Sequence, residues 1–333
     1  MLSNHQVSNR FTIMSLLNAS NPLPRGFIPV MLTPFRESGA IDSSGLAHLT
    51  DFYLESGAAG LFANCLSSEM YELSDSERIL ITKQVVDQVA GRVPVVATGT
   101  LGGSMTQQAD FVKRIYDTGA QAVIVITSQM LSPDESDAIF LDRMHQLMHL
   151  TEAIPLGLYE CPVPYKRLIN SEILANLLPT GRLIYHKDTS LDANEVARRL
   201  RVAEGYKFGL YDAYLVNGVS SLRAGAAGLS CIQGNIFPEL ITWLCANFDN
   251  STRQEQVSRV QQFMTDCMYL AHTAYPIIAK YSLQKRGVPI SLYTRRTVDP
   301  FTASVREAID ALLTAVDGLG QELGIELVQP QLT

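Results

Sequence analysis

The stretch VPVVATGTLGGSMTQQADFVKRIYDTGAQAVIVIT, residues 93–127, holds one complete structural unit. It opens on a short apolar run, VPVVAT (93–98), and closes on another, AVIVIT (122–127). Both runs are continuously apolar rather than alternating, which suits parallel strands covered on both faces. Between them, residues 105–118 read as a helix that stops at Gly119. Strand, helix, strand within about 30 residues is the βαβ unit of parallel sheets.

The unit recurs in both directions. GFIPVML (26–32), GLFAN (60–64), IPLGLY (154–159), RLIYHK (182–187), YKFGLY (206–211) and GLSCI (228–232) join the two runs above to make eight. Successive starts lie roughly 20 to 35 residues apart, about one βα unit each. Ser43 to Ser56 carries Leu46, Leu49, Phe52 and Tyr53 at helical spacing, with Gly57 as a stop. Ser74 with Glu77 three residues on predicts a capping box, for a helix that runs to Ala90 and stops at Gly91. Ser132 or Asp134 opens a helix reaching about Thr151, and Asp192 opens one ending near Gly205. Gly-Ala pairs at 57–58, 119–120 and 225–226 mark helix-to-strand turns. Eight such units in series predict an α/β fold, a closed (β/α)8 barrel. The alternative is a doubly wound open sheet. That fold usually carries a Gly-rich phosphate fingerprint after its first strand. PVMLTPF lacks one, and GTLGG (99–103) falls short of one.

After residue 237 the strand signal stops. Residues 238–286 and 301–323 read as helices joined by the Pro- and Tyr-containing stretch 287–300. The expected layout is a polar extension at 1–24, the barrel at 25–240 and a helical subdomain at 241–333. The extension reads as neither a signal peptide nor a membrane anchor.

Composition narrows the partners. Of 333 residues, 47% are hydrophobic and 18% charged, ample material for a large core. The net charge is −7 and no basic run stands out, which argues against nucleic acid and anionic membrane surfaces. No apolar run approaches the roughly 20 residues that cross a bilayer. The cysteines Cys65, Cys161, Cys231, Cys245 and Cys267 are odd in number and form no C-x-x-C pair. A disulfide framework or structural zinc site is not expected, and a reducing cytoplasm fits better.

In barrels of this class the active site lies at the C-terminal ends of the strands, so the last residue of each run is informative. Lys187 ends the sixth run. Desolvation there disfavours its ammonium form, and a neutral amine attacks a carbonyl to form a Schiff base. The alternative is a structural ion pair with Asp188 or Glu69. Tyr159 ends the fifth run, where a phenol near a lysine moves protons between substrate, amine and water. The alternative is a core tyrosine bonded to a backbone carbonyl. Ser67 and Ser68, after the second run, are carboxylate donors or ordinary turn serines. His186 precedes Lys187, so strand alternation points it toward the helices. His145 and His149 share a helix face without the Glu of H-E-x-x-H, and read as surface. Cys65, Cys161 and Cys231 read as small thiols at the mouth rather than a metal site or nucleophile.

Together these residues resemble the dihydrodipicolinate synthase and N-acetylneuraminate lyase family of class I aldolases, over nearly the whole chain from about Gly26. GFIPVMLTPF (26–35) resembles the family's first strand and its T-P-F/M turn. The family's Schiff-base lysine sits in I-K-[DE]-x-[ST], similar to His186-Lys187-Asp188-Thr189-Ser190. Its tyrosine sits in Y-N-x-P, similar to Tyr159-Glu160-Cys161-Pro162. Its carboxylate-binding G-[TS]-T-G-E is matched loosely by Cys65-Leu66-Ser67-Ser68-Glu69, and its strand-eight motif by Gly225 to Ser230. The resemblance implies a 2-oxo acid held by Ser67, Ser68 and the backbone of Ser230, a Schiff base on Lys187, and Tyr159 as proton shuttle. It implies no metal or organic cofactor, because the iminium is the electron sink. It also implies a homo-oligomer, a dimer or tetramer. Three positions depart from the pattern. Leu66 replaces a proton-relaying hydroxyl, Met130 stands where the family has a second relay tyrosine, and Pro164 replaces the arginine that holds an aldehyde's carboxylate, with Lys166 and Arg167 nearby.

The expected activity is C–C cleavage or formation on pyruvate or a related 2-oxo acid. A Schiff-base dehydratase of a 2-oxo-3-deoxy sugar acid is a close variant. A non-catalytic 2-oxo acid binder is the alternative from another class, motivated by Leu66 and Met130. A metal-dependent barrel lyase or hydrolase is a third, and no ligand spacing favours it.

Overall fold

Eight short parallel strands order the computed structural model, which describes residues 23–328. They are β1 (Gly26–Phe27), β2 (Leu61–Asn64), β3 (Val95–Thr98), β4 (Ala122–Ile126), β5 (Leu156–Tyr159), β6 (Leu183–Asp188), β7 (Gly209–Asp212) and β8 (Gly228–Leu229). Each pairs in parallel with its sequence neighbour from β2 to β8, and β8 pairs with β1. The first strand is shorter than its run predicts. Pro29 has no N–H to give the ladder, so regular pairing stops before it. Beyond the proline, Val30 bridges Phe62, and Met31 N–H donates to Phe62 O at 3.0 Å. That bridge joins β1 to β2 and closes the barrel. At the β1–β8 seam a Cβ on Gly228 would lie 1.6 Å from Gly26 O, so only glycine lets these strands meet.

Side chains fill the lumen. Ile28, Val30, Phe62, Val96, Ala122, Ile124, Ile126, Tyr159, Tyr185 and Tyr211 belong to one buried cluster. Tyr185 stacks on Tyr211 with ring centroids 4.9 Å apart and meets Phe62 edge-on at 6.1 Å. Its bulk is accommodated because Gly157 faces it; a Cβ there would lie 2.9 Å from Tyr185 Cβ.

Eight helices follow the strands: α1 (Ser43–Glu55), α2 (Asp75–Val89), α3 (Met105–Tyr116), α4 (Asp137–Leu150), α5 (Ser171–Leu177), α6 (Ala193–Ala203), α7 (Gly218–Arg223) and α8 (Pro238–Asn247). The capping box of Ser74 and Glu77 forms, and Ser104 with Gln107 makes another. Helix α4 starts later than the sequence suggests. Glu135 instead accepts from Ser132 N–H at 2.7 Å and pairs with Arg143, closing a turn before the helix. The short helices α5 and α7 carry too few turns to show a periodic stripe, and sequence reading missed them.

The C-terminal stretch 238–286 divides into α8, α9 (Gln254–Asp266) and α10 (Ile277–Lys285), and α11 (Ala303–Leu323) follows. Helix α8 buries Leu240, Ile241 and Leu244 in a core shared with Phe27 of β1, while Val257, Val260 and Met264 extend the same core into α9. Residues 1–22 of the expected N-terminal extension and residues 329–333 lie outside the described residues.

Candidate active site

Lys187 and Tyr159 are register partners on adjacent strands β6 and β5. Both point into the lumen at the C-terminal mouth, and the lysine Nζ sits 4.4 Å from the centre of the tyrosine ring. Lys187 is 4% exposed and Tyr159 3%. Burial pushes the Lys187 amine below its ordinary pKa, against a smaller opposing pull from Cys65, Cys161 and Cys231. Burial pushes the Tyr159 phenol well above its ordinary value, so it is held as a proton donor.

The ion-pair alternative for Lys187 fails on its partners. Asp188 and Glu69 are both buried, and both are engaged elsewhere. Asp188 pairs with Arg199 and accepts from Ser190 N–H and Oγ at 2.8 and 2.7 Å. Glu69 pairs with Lys280 at 3.0 Å. Among the described residues no carboxylate is paired with Lys187.

Arg199 of α6 sits behind the mouth, fully buried. Its guanidinium reaches Asp188, and its Nη2 lies 2.9 Å from Glu160 Oε1. Asp188 follows Lys187 and Glu160 follows Tyr159, so one buried cation fixes the neighbours of both lumen residues. Glu160 also accepts from Ile169 N–H and Thr189 N–H, each at 2.8 Å. Burial alone would raise the Glu160 carboxyl; His186 and Arg199 outweigh it and hold Glu160 well below the usual carboxylate range. His186 is on this outer side, 3.5 Å from Glu160 and beside Phe208, as strand alternation predicts. Sequence reading missed Arg199, which looks like one more charge in the helical run VARRLRVA.

The turn after β2 carries Ser67 and Ser68 in a 3-10 segment, Leu66–Ser68. Ser67 is buried beside Tyr275. Asn235, whose Nδ2 donates to Tyr275 Oη at 2.8 Å, backs that phenol. Ser68 departs from the expected carboxylate donor. Its hydroxyl reaches Met31 O at 2.7 Å and Ala63 O at 3.0 Å, and accepts from Cys65 N–H at 3.1 Å. A hydroxyl so committed has no bond left for a ligand, so Ser68 holds the turn that presents Ser67. Ser230 is buried after β8, its N–H donating to Asp212 O at 2.9 Å and its Oγ accepting from Tyr185 at 3.4 Å.

The departures from the family pattern also have places. Leu66 packs against the lumen cluster at the mouth. Met130 is buried in the outer core between strands and helices, with Val123, Val125 and Leu158. Arg167 is tied to Asp137 and lies 5.5 Å over the Phe140 ring; Lys166 is exposed. Neither takes the role of an arginine in the mouth. His145 and His149 are exposed on α4, and the described residues contain no group of three or more metal-ligating side chains.

The family model of the dihydrodipicolinate synthetase family matches residues 23–316. This chain belongs to that family. It is 26% identical over 291 residues to a 4-hydroxy-tetrahydrodipicolinate synthase of Thioalkalivibrio sulfidiphilus, covering 86% of this chain and 97% of the relative. The corresponding enzyme of Saccharophagus degradans is 27% identical over 274 residues, covering 79% and 89%. A dihydrodipicolinate synthase structure from Cyanidioschyzon merolae, with lysine bound, superposes with a TM-score of 0.80 at 19% identity, covering 90% of this chain and all of that one. A family member from Escherichia coli K12, in complex with pyruvate, gives 0.79 at 21%, covering 88% and 98%. The two structural likenesses bear on the fold, and they agree with the closed barrel of this family member.

Proposed function

We propose that this family member is a class I, Schiff-base-forming lyase or aldolase acting on pyruvate or a related 2-oxo acid. The observation that carries this reading is a desolvated lysine amine, with no carboxylate partner among the described residues, against the face of a buried phenol. Lys187 attacks the C2 carbonyl, and Tyr159 supplies the proton that lets the oxygen leave as water. The protonated imine then accepts the electron pair of the adjacent C–C bond as it breaks, or stabilises the enamine that forms a new one. Ser67 binds the carboxylate, and the backbone of Ser230 lies beside the bound substrate. The reaction calls for no metal or organic cofactor. The similarity to 4-hydroxy-tetrahydrodipicolinate synthases supports the reading.

Pro164 and the engagement of Arg167 with Asp137 favour a second reactant without the carboxylated aldehyde that an arginine would hold. A Schiff-base dehydratase of a 2-oxo-3-deoxy sugar acid is therefore the second reading. We further assign the chain to a reducing, cytoplasmic compartment, with its five cysteines free, and to a homo-oligomer, a dimer or tetramer. A panel of 2-oxo-3-deoxy sugar acids and of aldehydes with pyruvate tests the reaction. Pyruvate release or consumption that disappears in Lys187→Ala supports the lyase. Loss of water without pyruvate release selects the dehydratase. Saturable binding with no turnover of any of them rejects both.

A further inference from the structure

We propose that Arg199 and Glu160 are positioning residues: acting through the ends of β5 and β6, they hold Tyr159 and Lys187 in the geometry that imine formation requires. The proposal rests on the Schiff-base reading above. Attack on a ketone demands that the amine and the proton donor keep a fixed spacing, and a misplacement of about 1 Å can cost about a hundredfold in rate. The contact between the two side chains, an amine 4.4 Å from a ring centre, tolerates sliding and does not fix that spacing. The strand ends must therefore supply it.

Both strands are tied from behind. Tyr159 and Lys187 are register partners, and the next rung, from Glu160 N–H to Lys187 O, is stretched to 3.4 Å. Side chains take over where the ladder weakens. Glu160 Oε2 accepts from Thr189 N–H at 2.8 Å, and Thr189 Oγ1 donates to Glu160 O at 2.7 Å. Glu160 Oε1 accepts from Ile169 N–H, also at 2.8 Å. Arg199 then fastens both strands to α6. Its guanidinium reaches Asp188, lies 2.9 Å from Glu160 and is 3.3 Å from Glu195 on its own helix.

Arg199, Glu160 and Asp188 are fully buried, on the face of the strands turned away from the lumen. A forked guanidinium can bridge two carboxylates at once, whereas a lysine ammonium is a single point charge. None of these bonds reaches the turn after β2 that carries Ser67. The cluster therefore acts on the rate of attack and leaves carboxylate binding alone. Two departures from the family motifs converge in it. Glu160 stands where the tyrosine motif has an asparagine, His186 stands where the lysine motif has an isoleucine, and the two side chains lie 3.5 Å apart. A buried carboxylate in place of an amide needs a counter-charge, and Arg199 supplies it.

The test uses the full-length chain with pyruvate and borohydride, comparing the wild type with Arg199→Met, Arg199→Lys and Glu160→Gln. Arg182→Met is the control. Arg182 grips the opposite ends of the same two strands, donating to Ile154 O at 2.8 Å and Met148 O at 2.9 Å. Trapping of the wild type on Lys187 comes first; its absence rejects the Schiff-base reading, and the positioning role with it. Given that adduct, and below each melting transition, Arg199→Met and Glu160→Gln should slow imine formation at saturating pyruvate by about tenfold or more. Half-saturating pyruvate should hold. Arg199→Lys should regain thermal stability yet stay slow, since its ammonium cannot fork between two carboxylates. Arg182→Met should melt earlier than the wild type and keep its rate. Wild-type rates in Arg199→Lys and Glu160→Gln overturn the proposal, even where Arg199→Met fails to fold. So does an equal slowing in Arg182→Met, or a loss confined to half-saturating pyruvate.

Discussion

At the residue scale the chemistry rests on one amine. Lys187 was legible as a candidate because it ends an apolar run, and strand alternation separated it from His186. Choosing between nucleophile and ion pair needed the partners of Asp188 and Glu69. Those partners, Arg199 and Lys280, lie 11 and 211 residues from them in the chain. Because burial lowers the amine's pKa, the neutral form appears as pH rises through a value below that of an ordinary lysine. The rate of pyruvate adduct formation should therefore climb with pH and level off before the ordinary lysine range. Measured trapping rates that still rise steeply there would place the amine in water instead.

At the element scale the site is a matter of how β5 and β6 end. Each strand turns one residue into the lumen and the next one outward onto Arg199. Removing that guanidinium in Arg199→Met leaves Glu160 and Asp188 buried beside each other, a loss of about 3–5 kcal/mol by the usual cost of breaking a buried ion pair. Urea denaturation reads it, and a variant as stable as the wild type would contradict the clamp. Strand β7 adds a carboxyl of opposite behaviour. Burial, then the charge of Asp188, raises Asp212 to about 7, while Ser221 and Tyr214 N–H bond to it. The folded chain holds this proton more tightly than the unfolded one. Its stabilising contribution is complete in acid below the ordinary aspartate range and is lost as pH rises to about 7. Wild-type Tm should fall relative to Asp212→Asn across that window. A constant difference between the two would mean that Asp212 ionises normally. None of this cluster was legible in sequence, because the outward carboxylates differ in no pattern from surface charges.

At the scale of the whole molecule, eight apolar runs at regular spacing were enough to read the barrel. The strand order and the Val30 to Phe62 closure agree with that reading. We retain, as a proposal, the division into a barrel to residue 240 and a helical subdomain from 241. The docking of the C-terminal helices at the mouth was not legible, since it includes a buried pair whose members lie 211 residues apart in the chain. Glu69 adopts left-handed backbone at φ 58° and is fully buried at the mouth. It accepts from Lys280 of α10, Thr294 Oγ1 at 2.6 Å and Arg295 N–H at 2.7 Å. The C-terminal region thereby holds the turn that presents Ser67. In Glu69→Gln the Lys280 ammonium stays buried without its counter-charge, at a cost of about 3–5 kcal/mol. Thermal melts should show the loss, and pyruvate KM should rise as the turn loosens. Unchanged stability and KM would mean that the latch is idle. Mass analysis of peptides from the chain incubated with pyruvate and borohydride tests the Schiff base on Lys187. One reduced pyruvyl adduct is expected, on Lys187 and absent from Lys187→Ala; no adduct, or one that persists in that variant, would contradict a nucleophilic Lys187.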